Sequence, residues 1–221
     1  MVSILITAGP TREHLDDVRF LSNGSTGRMG FALAEAAMRR GHEARLVLGP
    51  VEQKPPAGCR VRSVTSALEM QAAAEDWFAD SGIAIAAAAV ADWRPAQRHS
   101  GKPARAAMPA ASQTIELVPN PDIVAGLAQK KGRRVVVGFA LESEAATMEQ
   151  AVLRGEDKLR RKQLDVCVCN RSDAIGVDAS AMVLVFADGR RVDLGVQDKA
   201  TAADVIVGAA VDLYLRNQEA R

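Results

Sequence analysis

Aromatic side chains make up only 4% of this 221-residue chain, and there are just three cysteines. With so few rings, the core must be assembled from Ala, Val, Leu and Ile in closely packed layers. Cys59, Cys167 and Cys169 are odd in number and lack the spacing of a zinc or redox site, which excludes a disulfide scaffold. Cys167 and Cys169 stand two apart in an alternating run, so they should face one side of a strand as buried thiols. Cysteine use of this kind fits the cytoplasm. An excess of one charge is also missing, because 28 basic and 27 acidic residues leave a net +1. A dedicated nucleic-acid binder carries a clear basic excess, so that class is set aside. No apolar run reaches the ~18 residues of a membrane span. The opening stretch Met1–Ile6 has no basic leader and enters a strand pattern at once, so no secretory signal is expected. Absent too is a tight Gly-x-Gly-x-x-Gly turn after the first strand, the mark of a dinucleotide fold.

Strand-like runs lie at Val2–Ala8, Glu43–Leu48, Arg60–Val64, Ile83–Ala91, Gln113–Leu117, Val135–Phe139 and Asp165–Cys169. Helical patterns fall at Met29–Arg40, Ser66–Ala79, Pro121–Ala128, Ser143–Arg161 and Thr201–Arg216. Their alternation predicts an α/β fold: a doubly wound, mainly parallel, Rossmann-like sheet with helices on both faces. Ala181–Phe186 and Arg190–Leu194 flank Asp188-Gly189, which predicts a C-terminal β-hairpin extension. Gly41 reads as a helix C-cap, Thr65 or Ser66 as an N-cap, and Asn120 as the N-cap of a helix with Pro121 in its first position. Residues 1–221 are read as one domain. The long polar stretch 93–111 interrupts the pattern and reads as a flexible active-site loop.

In an open parallel sheet, ligands collect outside the carboxyl ends of the strands. Four polar clusters fall at such ends: the loop around Asn23, Asp92-Trp93-Arg94-Pro95, Phe139-Ala140-Leu141-Glu142, and Asn170. The Gly/Ser/Thr loop before Met29 presents backbone amides and a helix start, which suits an anion. Taken singly, each cluster is equally compatible with an ordinary capping loop. Ala84, Ala86–Ala89 and Ala91 allow close approach to the backbone by a packed helix or by a flat base. Lys158 and Lys162, four apart on one helix, share a face. They are either a solvated, dipole-stabilised end or a clamp on a triphosphate. Lys102 is the lone lysine of the 93–111 loop.

These residues form an ordered series: Gly9-Pro10-Thr11-Arg12-Glu13, Arg19-Phe20-Leu21-Ser22-Asn23, Ser25-Thr26-Gly27-Arg28-Met29-Gly30, Ala88-Ala89-Val90-Ala91-Asp92-Trp93-Arg94, Asn120-Pro121-Asp122-Ile123-Val124, Val137-Gly138-Phe139-Ala140 and Lys158-Leu159-Arg160-Arg161-Lys162. From about residue 3 to 170, the chain resembles phosphopantothenoylcysteine synthetase (phosphopantothenate–cysteine ligase), the synthetase half of the bifunctional coenzyme A biosynthesis flavoproteins.

The resemblance implies a ligase that joins 4'-phosphopantothenate to L-cysteine through an acyl-nucleotide, with release of pyrophosphate. Its co-substrate is CTP or ATP, with CTP favoured, and Mg2+ serves the triphosphate. Asn23 and Lys102 match the catalytic positions. Asp92, Pro121, Asp122, Ile123, Val124, Phe139, Lys158 and Lys162 match nucleotide-site positions, and Ser25, Thr26 and Gly27 match the phosphopantothenate side. No metal ligand is assigned. The resemblance further implies a homodimer, and a decarboxylase flavoprotein as partner or fused domain. Because the chain begins at the synthetase motif, it is expected to be a stand-alone enzyme or an excised half. The family's Lys-Ile-Lys-Lys stretch stands here as Lys102-Pro103-Ala104-Arg105, so two of its three cations are altered or lost. Two other classes remain to be separated by assay. One is a nicotinamide-dependent reductase, disfavoured by the missing glycine turn. The other is a nucleotide sensor that keeps the pocket without turnover.

Overall fold

The computed structural model describes residues 1–101, 114–171 and 179–220. In chain order, the elements are β1 (Ser3–Ala8), β2 (Arg12–His14), β3 (Phe20–Ser22), α1 (Arg28–Arg39), β4 (Glu43–Leu48), β5 (Arg60–Ser63), α2 (Ala67–Phe78), β6 (Ile83–Ala86), β7 (Trp93–Pro95) and β8 (Leu117–Pro119). They continue with α3 (Ile123–Gln129), β9 (Val135–Glu142), α4 (Met148–Lys162), β10 (Val166–Arg171), β11 (Ala179–Phe186), β12 (Arg191–Asp198) and α5 (Lys199–Glu219).

Among the described residues, the main sheet runs β12-β11-β10-β9-β6-β1-β4-β5. Every pairing from β5 through β10 is parallel, while β11 and β12 add on antiparallel. Counted along the chain, the parallel strands stand in the order 3-2-1-4-5-6. The winding direction therefore reverses between β1 and β6, and a crevice opens beyond their carboxyl ends. Period-2 alternation sends neighbouring side chains to opposite faces. Ile4, Ile6, Val135, Val137, Val166 and Val168 pack beneath α1 and α5. Leu5, Val136, Cys167 and Cys169 pack beneath α2, α3 and α4. Both cysteines are fully buried on one face, as their spacing predicts.

Local chemistry explains the helix ends. Ser66 and Glu69 form a reciprocal capping box that starts α2. Gly41, with φ of 77°, follows the last turn of α1. The Asp188-Gly189 hairpin turn is present, with Gly189 at φ 86° and the Arg190 amide donating to Asp188 Oδ1 at 3.0 Å.

Several sequence expectations shift, among them the strand expected over Gln113–Leu117, which starts only at Leu117 and runs to Pro119. The helix expected from Ser143 begins at Met148, because β9 continues to Glu142 alongside β10 and a Thr147–Gln150 capping box sets the start. The N-cap of α3 is Asp122, whose carboxylate accepts from the Ala125 amide at 3.1 Å, whereas Asn120 is used elsewhere. The strand expected over Ile83–Ala91 ends at Ala86, where its ladder with β9 stops. The 93–111 stretch opens as a strand, since Trp93–Pro95 pairs antiparallel with Leu117–Pro119. Lys102 and the rest of the stretch after it, through residue 111, lie outside the described residues.

Candidate active site

Beyond β1 and β6 the backbone stays zipped even though the regular strands have ended. The Ala87 amide donates to Thr7 O at 3.1 Å and the Ala89 amide to Gly9 O at 2.9 Å. Residues 87–91 thereby form a ridge of small side chains, with a cleft on each side. The first cleft, of about 490 Å³, is lined by Asn23–Gly30, Ala87–Val90, Phe139, Leu141, Lys158, Asn170, Met182 and Lys199. The second, of about 310 Å³, is lined by Asp92, Asn120–Val124, Phe139, Lys158 and Lys162, among others. Ala88, Val90, Phe139 and Lys158 border both. Asn23 and Asp92 therefore stand on opposite sides of one ridge, with Phe139 common to the two sides.

Asn23 is placed by the ridge itself: Nδ2 donates to Val90 O at 3.0 Å and to Ala89 O at 3.3 Å. Ser25, Thr26 and Gly27 lead from it into α1. Gly27 adopts φ of 76° at the N-cap, and no side chain caps this helix among the described residues. Its first amides border the cleft, as a partial positive charge that suits an anion. Gly30 lets α1 lie close on β1, since a Cβ there would fall 2.2 Å from the Ala8 Cβ.

In the second cleft, Pro121 and Asp122 precede α3 while Ile123 and Val124 form its first turn. Asp122 pairs with Lys162 at 2.6 Å. Lys158 Nζ donates to Phe139 O at 2.5 Å. Burial, then the neighbouring positive charge of Lys162, pull the Lys158 ammonium below the ordinary lysine range. Both lysines thus face the cleft, already engaged by protein groups that a bound anion would replace. An anion arriving between them would offset the repulsion from Lys162 that helps to hold the Lys158 ammonium down.

Cleft residues that the sequence did not single out are Met182 and Lys199. Met182 and Lys199 come from the C-terminal strands and helix, where the ordered motifs have ended, and no local pattern marks them. Asn170, noted only as a polar strand end, is 9% exposed, and its Oδ1 is buried without a partner among the described residues.

A doubly wound sheet with paired clefts at its switch point, one beside the start of α1 and the other beside Lys158 and Lys162, defines an α/β protein of the Rossmann-like class. The chain belongs to the family described as the DNA/pantothenate metabolism flavoprotein C-terminal domain, whose model matches residues 1–213. It is 40% identical over 218 residues to the coenzyme A biosynthesis bifunctional protein CoaBC of Escherichia coli K12, with 96% of this chain covered. The chain spans about half the length of the curated relatives it matches, 52% in that case. Among solved structures, the C-terminal domain of CoaBC superposes with a TM-score of 0.80 at 32% identity, covering 98% of this chain and 96% of that one. A Cab2 variant in complex with phosphopantothenate-cysteine shares the fold, with a TM-score of 0.79 at 15% identity, covering 99% of this chain and 88% of that one.

Proposed function

We propose that the chain is a phosphopantothenate–cysteine ligase of coenzyme A biosynthesis, using CTP in preference to ATP. A carboxylate oxygen of 4'-phosphopantothenate attacks the α-phosphorus, the bond to the β-phosphate breaks, and pyrophosphate leaves. The cysteine amine then attacks the acyl carbon, the nucleoside monophosphate departs, and the nitrogen loses a proton. The single observation that carries this reading is the shared boundary, Ala88 and Val90 of the ridge together with Phe139 and Lys158, between a cleft at the start of α1 and one that holds Asp92, Asp122 and Lys162. Two reactants held on either side of it would meet across a short gap, which turns a bimolecular step into an effectively unimolecular one.

Asn23 suits the acyl side because a carboxamide donates to acyl and phosphate oxygens without adding repulsive charge. Ser25, Thr26 and Gly27, at the start of α1, suit the phosphopantothenate side. Asp92, Pro121–Val124 and Phe139, with Lys158 and Lys162, suit the nucleotide side. Lys102 supplies a cation for the developing phosphate charge. Among the described residues, no cluster of three or more His, Cys, Asp and Glu could hold a metal. The carboxylates lining the second cleft are Asp92 and Asp122. That donor set fits Mg2+ carried on the triphosphate, which usually keeps phosphate and water ligands and needs only one or two protein carboxylates. The ion would neutralise phosphate charge there.

A homodimer suits the two short hairpins, where Val18, Phe20, Trp93, Ile115 and Leu117 expose apolar surface. A decarboxylase flavoprotein, fused or separate, is consistent with relatives about twice as long. Among the described residues, no helix is long and apolar enough to cross a membrane.

Incubating the protein with CTP or ATP, phosphopantothenate, cysteine and Mg2+ tests the proposal. Pyrophosphate release that requires phosphopantothenate, with a higher kcat/KM for CTP, is the expected result. Binding of nucleotide with no turnover in the full mixture would favour the sensor reading.

A further inference from the structure

The ridge between the clefts is held by a residue that no ligand needs to touch. Thr11 is fully buried, and its backbone and side-chain polar groups are engaged. Its amide donates to Ala89 O at 3.4 Å, and its carbonyl accepts from Ser22 Oγ at 2.7 Å. Its hydroxyl oxygen accepts from the Ala91 amide at 3.0 Å.

That last bond falls on a telling peptide unit. The Val90–Ala91 peptide presents its N–H to Thr11 Oγ1 and its C=O to Asn23 Nδ2, the latter at 3.0 Å. A peptide group is planar, so fixing the direction of one end fixes the other. On the far side, Asn120 Nδ2 donates to Ala91 O at 2.8 Å and the Asn120 amide to Asp92 O at 2.8 Å. Residues 90–92 are therefore gripped from both clefts. Removing the Thr11 hydroxyl leaves the buried Ala91 N–H without its partner and frees the plane to turn.

We propose that Thr11 is a positioning residue, whose hydroxyl sets the Val90–Ala91 peptide plane and thereby the placement of Asn23 at the acyl side of the site. This deepens the ligase reading and rests on it for the catalytic consequence. The geometric part stands separately. Valine has the shape of threonine without the acceptor, and serine keeps the acceptor without the methyl, so the two replacements separate packing from hydrogen bonding.

The test compares wild type, Thr11→Val, Thr11→Ser, Asn23→Ala and the Thr11→Val/Asn23→Ala double variant, with melting curves showing that each is folded. In pyrophosphate release, Thr11→Val should lower kcat on the order of tenfold, the loss of about one buried hydrogen bond, while nucleotide KM stays within about twofold. Thr11→Ser should restore kcat. In the Asn23→Ala background, adding Thr11→Val should change kcat by less than about twofold, because the two act through one contact. Multiplying losses in the double variant, or an unchanged kcat in folded Thr11→Val, would overturn the proposal. NMR of the unliganded protein gives a readout independent of turnover. Thr11→Val should shift the Asn23 side-chain NH2 signals and speed exchange of the Ala91 amide. If both stay put, the clamp is wrong whatever the activity. If both move but the wild type releases no pyrophosphate, the ligase reading fails and the clamp remains.

Discussion

At the scale of single residues, buried or tightly bonded charges set the pH behaviour. Asp16 is fully buried: Oδ1 accepts from the Val18 and Arg19 amides at 2.8 and 2.7 Å, while Oδ2 meets Arg19 Nε at 2.7 Å. Those bonds hold its pKa at about 2, below the ordinary 3.8. Glu43, bonded to Arg45, Ser3 and Arg60, is likewise held at about 2 against 4.5. A folded pKa below the unfolded one contributes stability above the unfolded value, and this contribution drains away as pH falls through the folded value. The melting temperature should accordingly drop as pH goes from 4.5 to 2, and Asp16→Asn should lower it at neutral pH while flattening the slope below 3.8. An unchanged slope in that variant would remove Asp16 from the account. Lys158→Ala with Lys162→Ala should raise the KM for nucleotide roughly tenfold, the scale of charged hydrogen bonds. Unaltered nucleotide KM in initial-rate assays would return the pair to a structural role. The residue types at Asn23, Asp92 and the lysine pair were legible from the sequence. The dual use of Asn120, as a tether and not a cap, was not, because Asp122 two residues on competes for the same helix end.

Among elements, the strands of the parallel sheet were the most readable features, since apolar runs such as Val135-Val136-Val137 are buried on both faces. The errors gathered where a tertiary partner decides an end. β9 reaches Glu142 only because β10 continues beside it, and β6 stops at Ala86 because its neighbour's ladder stops. The strands β2, β3, β7 and β8 are three residues each, too short for an alternating pattern to show, and depend on contacts across the chain. α4 shows how an element places chemistry. Gly155 faces β10, and a Cβ there would fall 2.1 Å from Cys169 Sγ. Gly155→Ala should therefore push α4 outward, costing about 1–3 kcal/mol as overpacking does. Nucleotide KM should rise with it, because Lys158 and Lys162 ride on the same helix. Pairing the change with Cys169→Ala should recover both stability and KM. Calorimetry and initial rates on the double variant would expose a different cause if neither recovers.

For the molecule as a whole, strand order is the decisive fact, since it puts the reversal of winding beside the two ends that carry the polar loops. The exposed apolar side chains of the hairpins give the homodimer expectation a surface. Trp93→Glu should shift the molecular mass measured by light scattering from dimer to monomer, and a wild-type protein already monomeric at micromolar concentration would retire that expectation. Composition and periodicity determined the fold class, the layered Ala/Val/Leu/Ile core and the buried thiols, because those depend on near-neighbour spacing along one chain, while the ordered motifs entered through the family resemblance. Only the folded arrangement decided that Asn23 and Asp92 flank a single ridge, that Thr11 and Asn120 grip it, and that Met182 and Lys199 complete the wall. These are meetings between residues tens of positions apart, and their geometry comes from sheet register and helix packing, which no local pattern encodes.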